Sequence, residues 1–184
     1  MDERSGTGAD PPATSGTGAG PPATSGIGAG PPATSGTAEL LTTEDTIALG
    51  ARLGRELHAG DVAVLSGPLG AGKTVLAKGI AQAMDVDGPV VSPSFVLARM
   101  HRPRRANTPA MVHVDLYRLL DQPSVDLLGE LDSLDLDTDL EDAVVVVEWG
   151  EGVAERLSES HLNIALERAP DTDVRTAIWQ WSRP

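Results

Sequence analysis

Residues 67–74 read Gly-Pro-Leu-Gly-Ala-Gly-Lys-Thr, a complete GxxxxGKT loop in which each residue type has a task on a phosphate. Glycine lets the backbone curl until several N–H groups face one anion. A helix opening directly after the loop adds the positive end of its dipole. The backbone amides of Gly70, Ala71, Gly72 and Val75 would line that cradle. Lys73 is placed to reach the β- and γ-phosphates as a mobile point charge, and the Thr74 hydroxyl to ligate Mg²⁺. The bland alternative is a glycine-rich turn that binds nothing, and the flanks decide against it. Val62-Ala63-Val64-Leu65 before the loop suits a buried parallel strand. After it, Leu76, Ile80 and Met84 fall at i, i+4 and i+8 on one helical face. Strand, glycine loop and helix in that order imply a nucleoside triphosphate site.

Two acids extend the candidate chemistry. Asp115 and Glu148 each close an apolar run, and ligands of open α/β sheets gather at the carboxyl ends of strands. There a carboxylate can hold Mg²⁺, directly or through water, or orient the water that attacks a γ-phosphate. Each can also be an ordinary strand-end acid facing solvent. Ser92-Pro93-Ser94 is polar and kinked, and fits either a γ-phosphate-sensing loop or a simple turn. His113 reads as a packing or hydrogen-bonding residue at a strand end. Trp149, next to Glu148, is core, stacking platform or partner contact.

These groups need elements to carry them. Thr42 to Thr46 looks like a helix start with acids in its first turn, and helical spacing continues through Ile47, Ala51, Gly54 and Leu57 to about His58. The stretch 92–97 begins as a turn and ends as a short strand. Arg99 to Arg105 and on to Pro109 reads as a solvated loop. Met111–Asp115 and Ala143–Glu148 are further strands, the second apolar throughout and therefore central. Alternation at Leu162, Ile164 and Leu166, and again at Val174, Thr176 and Ile178, marks two later strands with one polar face. Trp179 and Trp181 share strand parity and hence one face. The sum is a three-layer α/β domain over residues 38–184, a P-loop NTPase fold.

Residues 1–37 differ in kind. Three decapeptides, SGTGADPPAT, SGTGAGPPAT and SGIGAGPPAT, start at Ser5, Ser15 and Ser25, and Ser35-Gly36-Thr37 begins a fourth. Only Ile27 among them is a large apolar residue, so nothing offsets the entropy of ordering. The stretch reads as a disordered Gly/Pro/Ser/Thr tail. The chain has no cysteine, which excludes disulfides and thiolate metal sites. With no apolar leader and no long apolar run, a cytosolic location and no membrane span are expected. Net charge is −13, and Asp121 to Asp142 holds nine acids and no base, whereas Arg99 to Arg105 holds four arginines. That balance repels nucleic acid, so any role on RNA needs a partner to hold it.

Several nucleotide-using classes fit a lone phosphate loop. A GTPase should carry Asn-Lys-x-Asp, which is missing. Asp126-Leu127-Leu128-Gly129 matches D-x-x-G only as a string, because no apolar strand precedes it. A small-molecule kinase of the P-loop class, with Arg99–Arg105 as a lid, stays open. So do an ATP-driven subunit acting on a partner protein and a non-catalytic nucleotide-binding adaptor.

GPLGAGKT at 67–74, VSPSFVL at 91–97, HVDLYRL at 113–119 and VVVVEWGEG at 144–152 together resemble the bacterial TsaE (YjeE-type) ATPase family of tRNA threonylcarbamoyladenosine synthesis. The resemblance covers nearly all of 38–184 and none of the repeat tail. It implies a small mixed β-sheet that binds ATP or ADP with Mg²⁺ and hydrolyses ATP weakly alone, faster with TsaB-like and TsaD-like partners. Those partners modify adenosine 37 of ANN-decoding tRNAs, so this chain would meet tRNA only indirectly. The family's lysine and hydroxyl residue fall on Lys73 and Thr74, its switch on Ser92 to Phe95 with Ser94 sensing the γ-phosphate. Its motif aspartate falls on Asp115, and its Mg²⁺-linked Glu-Trp on Glu148 and Trp149. The helix start at Thr43 to Thr46 would lie near the adenine. Four positions depart from the family pattern. Pro68 replaces an acid, Val75 a second threonine and Ser94 a threonine, and Gly150 stands where proline often follows. None removes a group that nucleotide binding needs.

Overall fold

In the computed structural model the described residues are 34–93, 97–120, 126, 129–130, 141–170 and 172–184. Seven strands build one sheet: β1 (Ser35–Leu40), β2 (Val62–Ser66), β3 (Ala98–His101), β4 (Ala110–Asp115), β5 (Ala143–Glu148), β6 (His161–Arg168) and β7 (Arg175–Ser182). Their order is β1-β7-β6-β2-β5-β4-β3. The four central strands β6, β2, β5 and β4 are parallel, and β3, β7 and β1 add antiparallel edges. This is the mixed α/β sheet that the sequence predicts.

The period of two sorts strand residues between the faces. Leu65, Val144, Val146, Leu162 and Ile164 point to one side, where Leu49 and Leu53 of α1 (Thr43–Gly54) and Leu76 and Ile80 of α2 (Lys73–Ala83) cover them. Val62, Val64, Val112, Val114, Val145 and Val147 point to the other. There Leu116, Leu119 of the short helix α3 (Tyr117–Leu120) and Ala154 of a 3-10 turn (Ala154–Leu157) pack on them. Every residue of β5 is buried, as expected for a strand covered on both faces.

Helices α1 and α2 cross with backbone on backbone. A Cβ added to Gly50 would lie 2.3 Å from Leu76 O, and one on Gly79 would lie 2.2 Å from Ile47 O. Glycine at mid-helix costs about 1 kcal/mol in propensity, and the close approach explains its presence. The N-terminus of α1 is closed by a capping box: Asp45 N donates to Thr42 Oγ1 at 3.1 Å, and Thr42 N to Asp45 Oδ2 at 2.9 Å.

Three expectations need correction. Helix α1 ends at Gly54, a turn before His58. The boundary drawn after Thr37 falls inside β1, where Ser35–Thr37 pair with Gln180, Trp179 and Ile178. Gly36 belongs to the sheet because the Trp179 ring lies against it; a Cβ there would meet Trp179 Cζ2 at 2.2 Å. The stretch read as a solvated loop from Arg99 contains β3, which pairs with β4 and buries His101. The rest of the repeat tail, residues 94–96 and most of the acidic run lie outside the described residues. Among the described residues no helix is long and apolar enough to cross a membrane.

Candidate functional site

The carboxyl ends of β2, β5 and β4 meet at one edge of the sheet. Glu148, the last residue of β5, is in register with Leu65 of β2 and with Asp115, the last residue of β4. Between β2 and α2 the loop turns through positive φ at Gly67 (129°), Gly70 (79°) and Gly72 (106°). At Gly67 no other residue fits, since a Cβ would sit 2.1 Å from Leu166 O. Gly72 is the N-cap of α2 and supplies no side-chain cap. The first amides of α2 are thus not closed off by a side chain, in contrast to those of α1, and are available to an anion.

Lys73 is 4 % exposed, and its ammonium donates to Gly67 O at 2.7 Å and Pro68 O at 2.9 Å. Its Nζ also sits 3.5 Å from the centroid of the Trp149 ring, a cation–π contact. Burial lowers its pKa, and the nearby carboxylates of Glu148 and Asp115 oppose that shift. Among the described residues Lys73 forms no ion pair. It is a partly desolvated cation held by neutral groups, a state that an incoming phosphate would relieve.

Thr74 Oγ1 donates to Glu148 Oε2 at 3.0 Å. The other oxygen of Glu148 accepts from His113 Nε2 at 2.9 Å, and the carboxylate is 2 % exposed. Asp115 is fixed as well: Ser92 Oγ donates to its Oδ2, and Tyr117 N to its Oδ1 at 3.1 Å. An open cleft of about 610 Å³ lies over these groups. Gly70, Gly72, Lys73, Thr74 and Val75 line it from the loop and helix, and Asp115, Glu148, Ser92 and Trp149 from the strand ends. Trp149 has φ of 65° and stacks obliquely on Tyr117, ring centroids 5.0 Å apart.

Most of the sequence-predicted residues therefore converge. Ala71 is fully buried beneath the loop and does not line the cleft. Thr43 also stays outside the lining; Thr46, one turn further along α1, is the residue that approaches the loop, with Cγ2 3.8 Å from a Cβ built on Gly72. Ser94 lies outside the described residues. Arg175 and Arg118 line the cleft too. Sequence reasoning passed over both, because each reaches the site through tertiary register rather than through a motif. His113 was read as a strand-end packing residue, and the strand pairing makes it a direct partner of Glu148.

Among the described residues no cluster of three or more His, Asp or Glu could hold a metal by itself. That agrees with the chemistry of Mg²⁺, which takes one or two protein oxygens and completes its shell with phosphate and water. Thr74 and Glu148 present two such oxygens side by side, so the residues fit the ion.

A mixed sheet whose central strand feeds a glycine loop and an uncapped helix defines a phosphate-loop protein. Residues 40–177 match the family described as threonylcarbamoyl adenosine biosynthesis protein TsaE. The chain belongs to the TsaE family. The tRNA threonylcarbamoyladenosine biosynthesis protein TsaE of Mycobacterium tuberculosis is 74% identical over 147 residues, 80% of this chain and 88% of the relative. The protein of the same description from Streptomyces coelicolor is 50% identical over 121 residues, 66% of this chain and 78% of its own length. A crystal structure of Bacillus subtilis YdiB superposes with a TM-score of 0.60 at 26% identity, covering 80% of this chain and 86% of that one.

Proposed function

We propose that this chain binds ATP or ADP with Mg²⁺ and hydrolyses ATP as an accessory subunit of tRNA threonylcarbamoyladenosine synthesis. Hydrolysis is weak in the isolated chain and rises in complex with TsaD-like and TsaB-like partners in the cytoplasm. The partners hold the tRNA, which suits a chain of net charge −13. The observation that carries this reading is the Thr74–Glu148 hydrogen bond beside Lys73 at the mouth of an uncapped helix.

The roles follow from placement. Lys73 exchanges its bonds to Gly67 O and Pro68 O for phosphate oxygens. The amides of Gly70, Gly72, Lys73, Thr74 and Val75 complete the cradle, with Ala71 setting its curl from below. Thr74 and Glu148 would hold Mg²⁺, which neutralises developing charge on the phosphates. Asp115, fixed by Ser92 and Tyr117 N, orients the attacking water. Ser94 is assigned to γ-phosphate sensing, and Thr43 to the approach of the adenine, on the family resemblance alone.

Two measurements test the proposal together. Calorimetric titration with ADP and ATP should show saturable binding, and phosphate release should rise on adding the two partner subunits. Formation of a phosphorylated nucleoside or sugar would instead make the chain a small-molecule kinase. Binding with zero turnover, partners included, would make it an adaptor.

A further inference from the structure

Arg175 opens β7 and has no place in the roles above. Strands β5 and β4, which carry Glu148 and Asp115, lie to one side of β2, whereas β6 and β7 lie to the other. Because β7 runs antiparallel to β6, the pairing of Arg175 with Arg168 brings the start of β7 to the carboxyl end of β6. This is the edge on which Ser66, paired with Ala165, leads into the loop. The Arg175 side chain lies against that loop: a Cβ on Gly72 would meet its Nε at 3.3 Å and its Cδ at 3.4 Å.

One arm of the guanidinium is anchored, with Nη1 donating to Asp173 O at 2.7 Å. Its Nε is buried and has no hydrogen-bond partner. Among the described residues Arg175 makes no ion pair. A buried N–H without an acceptor is rare in folded proteins and marks a position completed by something else. Since this N–H lines the cleft, the missing acceptor comes from whatever the cleft holds. A guanidinium presents its donors as a flat fork that matches phosphate oxygens.

We propose that Arg175 is a second phosphate-binding cation of this cleft, which contacts the nucleotide on the flank away from Glu148 and Asp115 and thus at the phosphate nearest the nucleoside. The assignment rests on the nucleotide-binding reading above and deepens it. The contact serves ADP and ATP alike, because it lies away from the carboxylates that face the γ-phosphate end.

Titration of the full chain with ADP and with ATP tests this, using wild type, Arg175→Ala and Arg175→Met. Both variants should weaken ADP and ATP by a similar factor, about tenfold each, as for loss of one charge-assisted hydrogen bond. Arg175→Met keeps the aliphatic stem, so wild-type affinity in that variant would overturn the proposal and leave a packing role against Gly72. A loss confined to ATP would also overturn it, by moving the contact to the γ-phosphate. Thermal unfolding of each variant checks that the fold is kept, and Arg175→Met carries the test if Arg175→Ala does not fold. Wild-type chain that fails to bind ADP would sink the nucleotide reading itself, whereas normal wild-type binding with unaltered variants sinks only the role of Arg175.

Discussion

His113 Nε2 lies 2.9 Å from Glu148 Oε1, and both side chains are withdrawn from solvent. An ionised carboxylate only accepts, so the imidazole must present its Nε2–H to it. With Thr74 on the other oxygen, Glu148 is gripped at both ends. His113 is thus a positioning residue acting through Glu148. Partners of this kind typically cost 10- to 100-fold when removed from a metal-linked group. His113→Leu should lower partner-stimulated ATP turnover by about that factor while leaving Mg²⁺-free ADP affinity nearly intact. His113→Gln, which keeps a donor, should recover part of the rate. Wild-type turnover in His113→Leu would remove the role.

Lys73→Ala and Glu148→Ala separate binding from chemistry. Lys73→Ala removes the one ammonium at the loop and should abolish ATP binding or turnover; a wild-type isotherm would refute its assignment. Glu148→Ala should spare ADP binding more than turnover, and an unchanged rate of phosphate release would end its catalytic role.

The capping box of α1 offers a stability measurement. Thr42→Ala deletes the acceptor for Asp45 N and should cost about 1 kcal/mol. For a domain of this size that is a drop of about 3 °C in the unfolding midpoint. Calorimetry reads it directly, and no change would mean that water replaces the cap without loss.

His101 gives a pH dependence with a defined sign. It is buried on β3, and burial holds its pKa below the ordinary value, with His113 and Arg99 adding to the shift and the Asp87 carbonyl opposing it. The folded chain therefore binds this proton less readily than the unfolded chain. The stability is present above about pH 6.5 and is lost as the pH falls through the folded value. His101→Leu removes this titration, so wild type should lose more unfolding temperature than the variant between about pH 7.5 and about pH 5.5. Parallel curves would show that His101 titrates alike in both states.

The strongest sequence signals came from groups whose function and local structure coincide. GPLGAGKT sits between an apolar run and a helical face, and the β-branched run ending at Glu148 is buried throughout. Two strands escaped because their stability is not local. β1 holds by pairing with β7 and by the fit of Gly36 under Trp179, and Gly36 looks like one more repeat glycine. β3 carries two exposed residues in four and is specified by β4. Arg175 and the His113–Glu148 contact escaped for a related reason: strand register, not spacing along the chain, makes them neighbours of the loop.

The bare crossing of α1 over α2 at Gly50 and Gly79 has a mechanical outcome. With no side chain between them, the two rods have no rotamer to relax and no ridge to slide across. They act as a single splint laid over the sheet, so a tug on the opening turn of α2 tilts α1 with it. Any reshaping that accompanies ligand arrival must then be taken up by the segments beyond β4 and β5 on the opposite flank, where no such weld exists among the described residues.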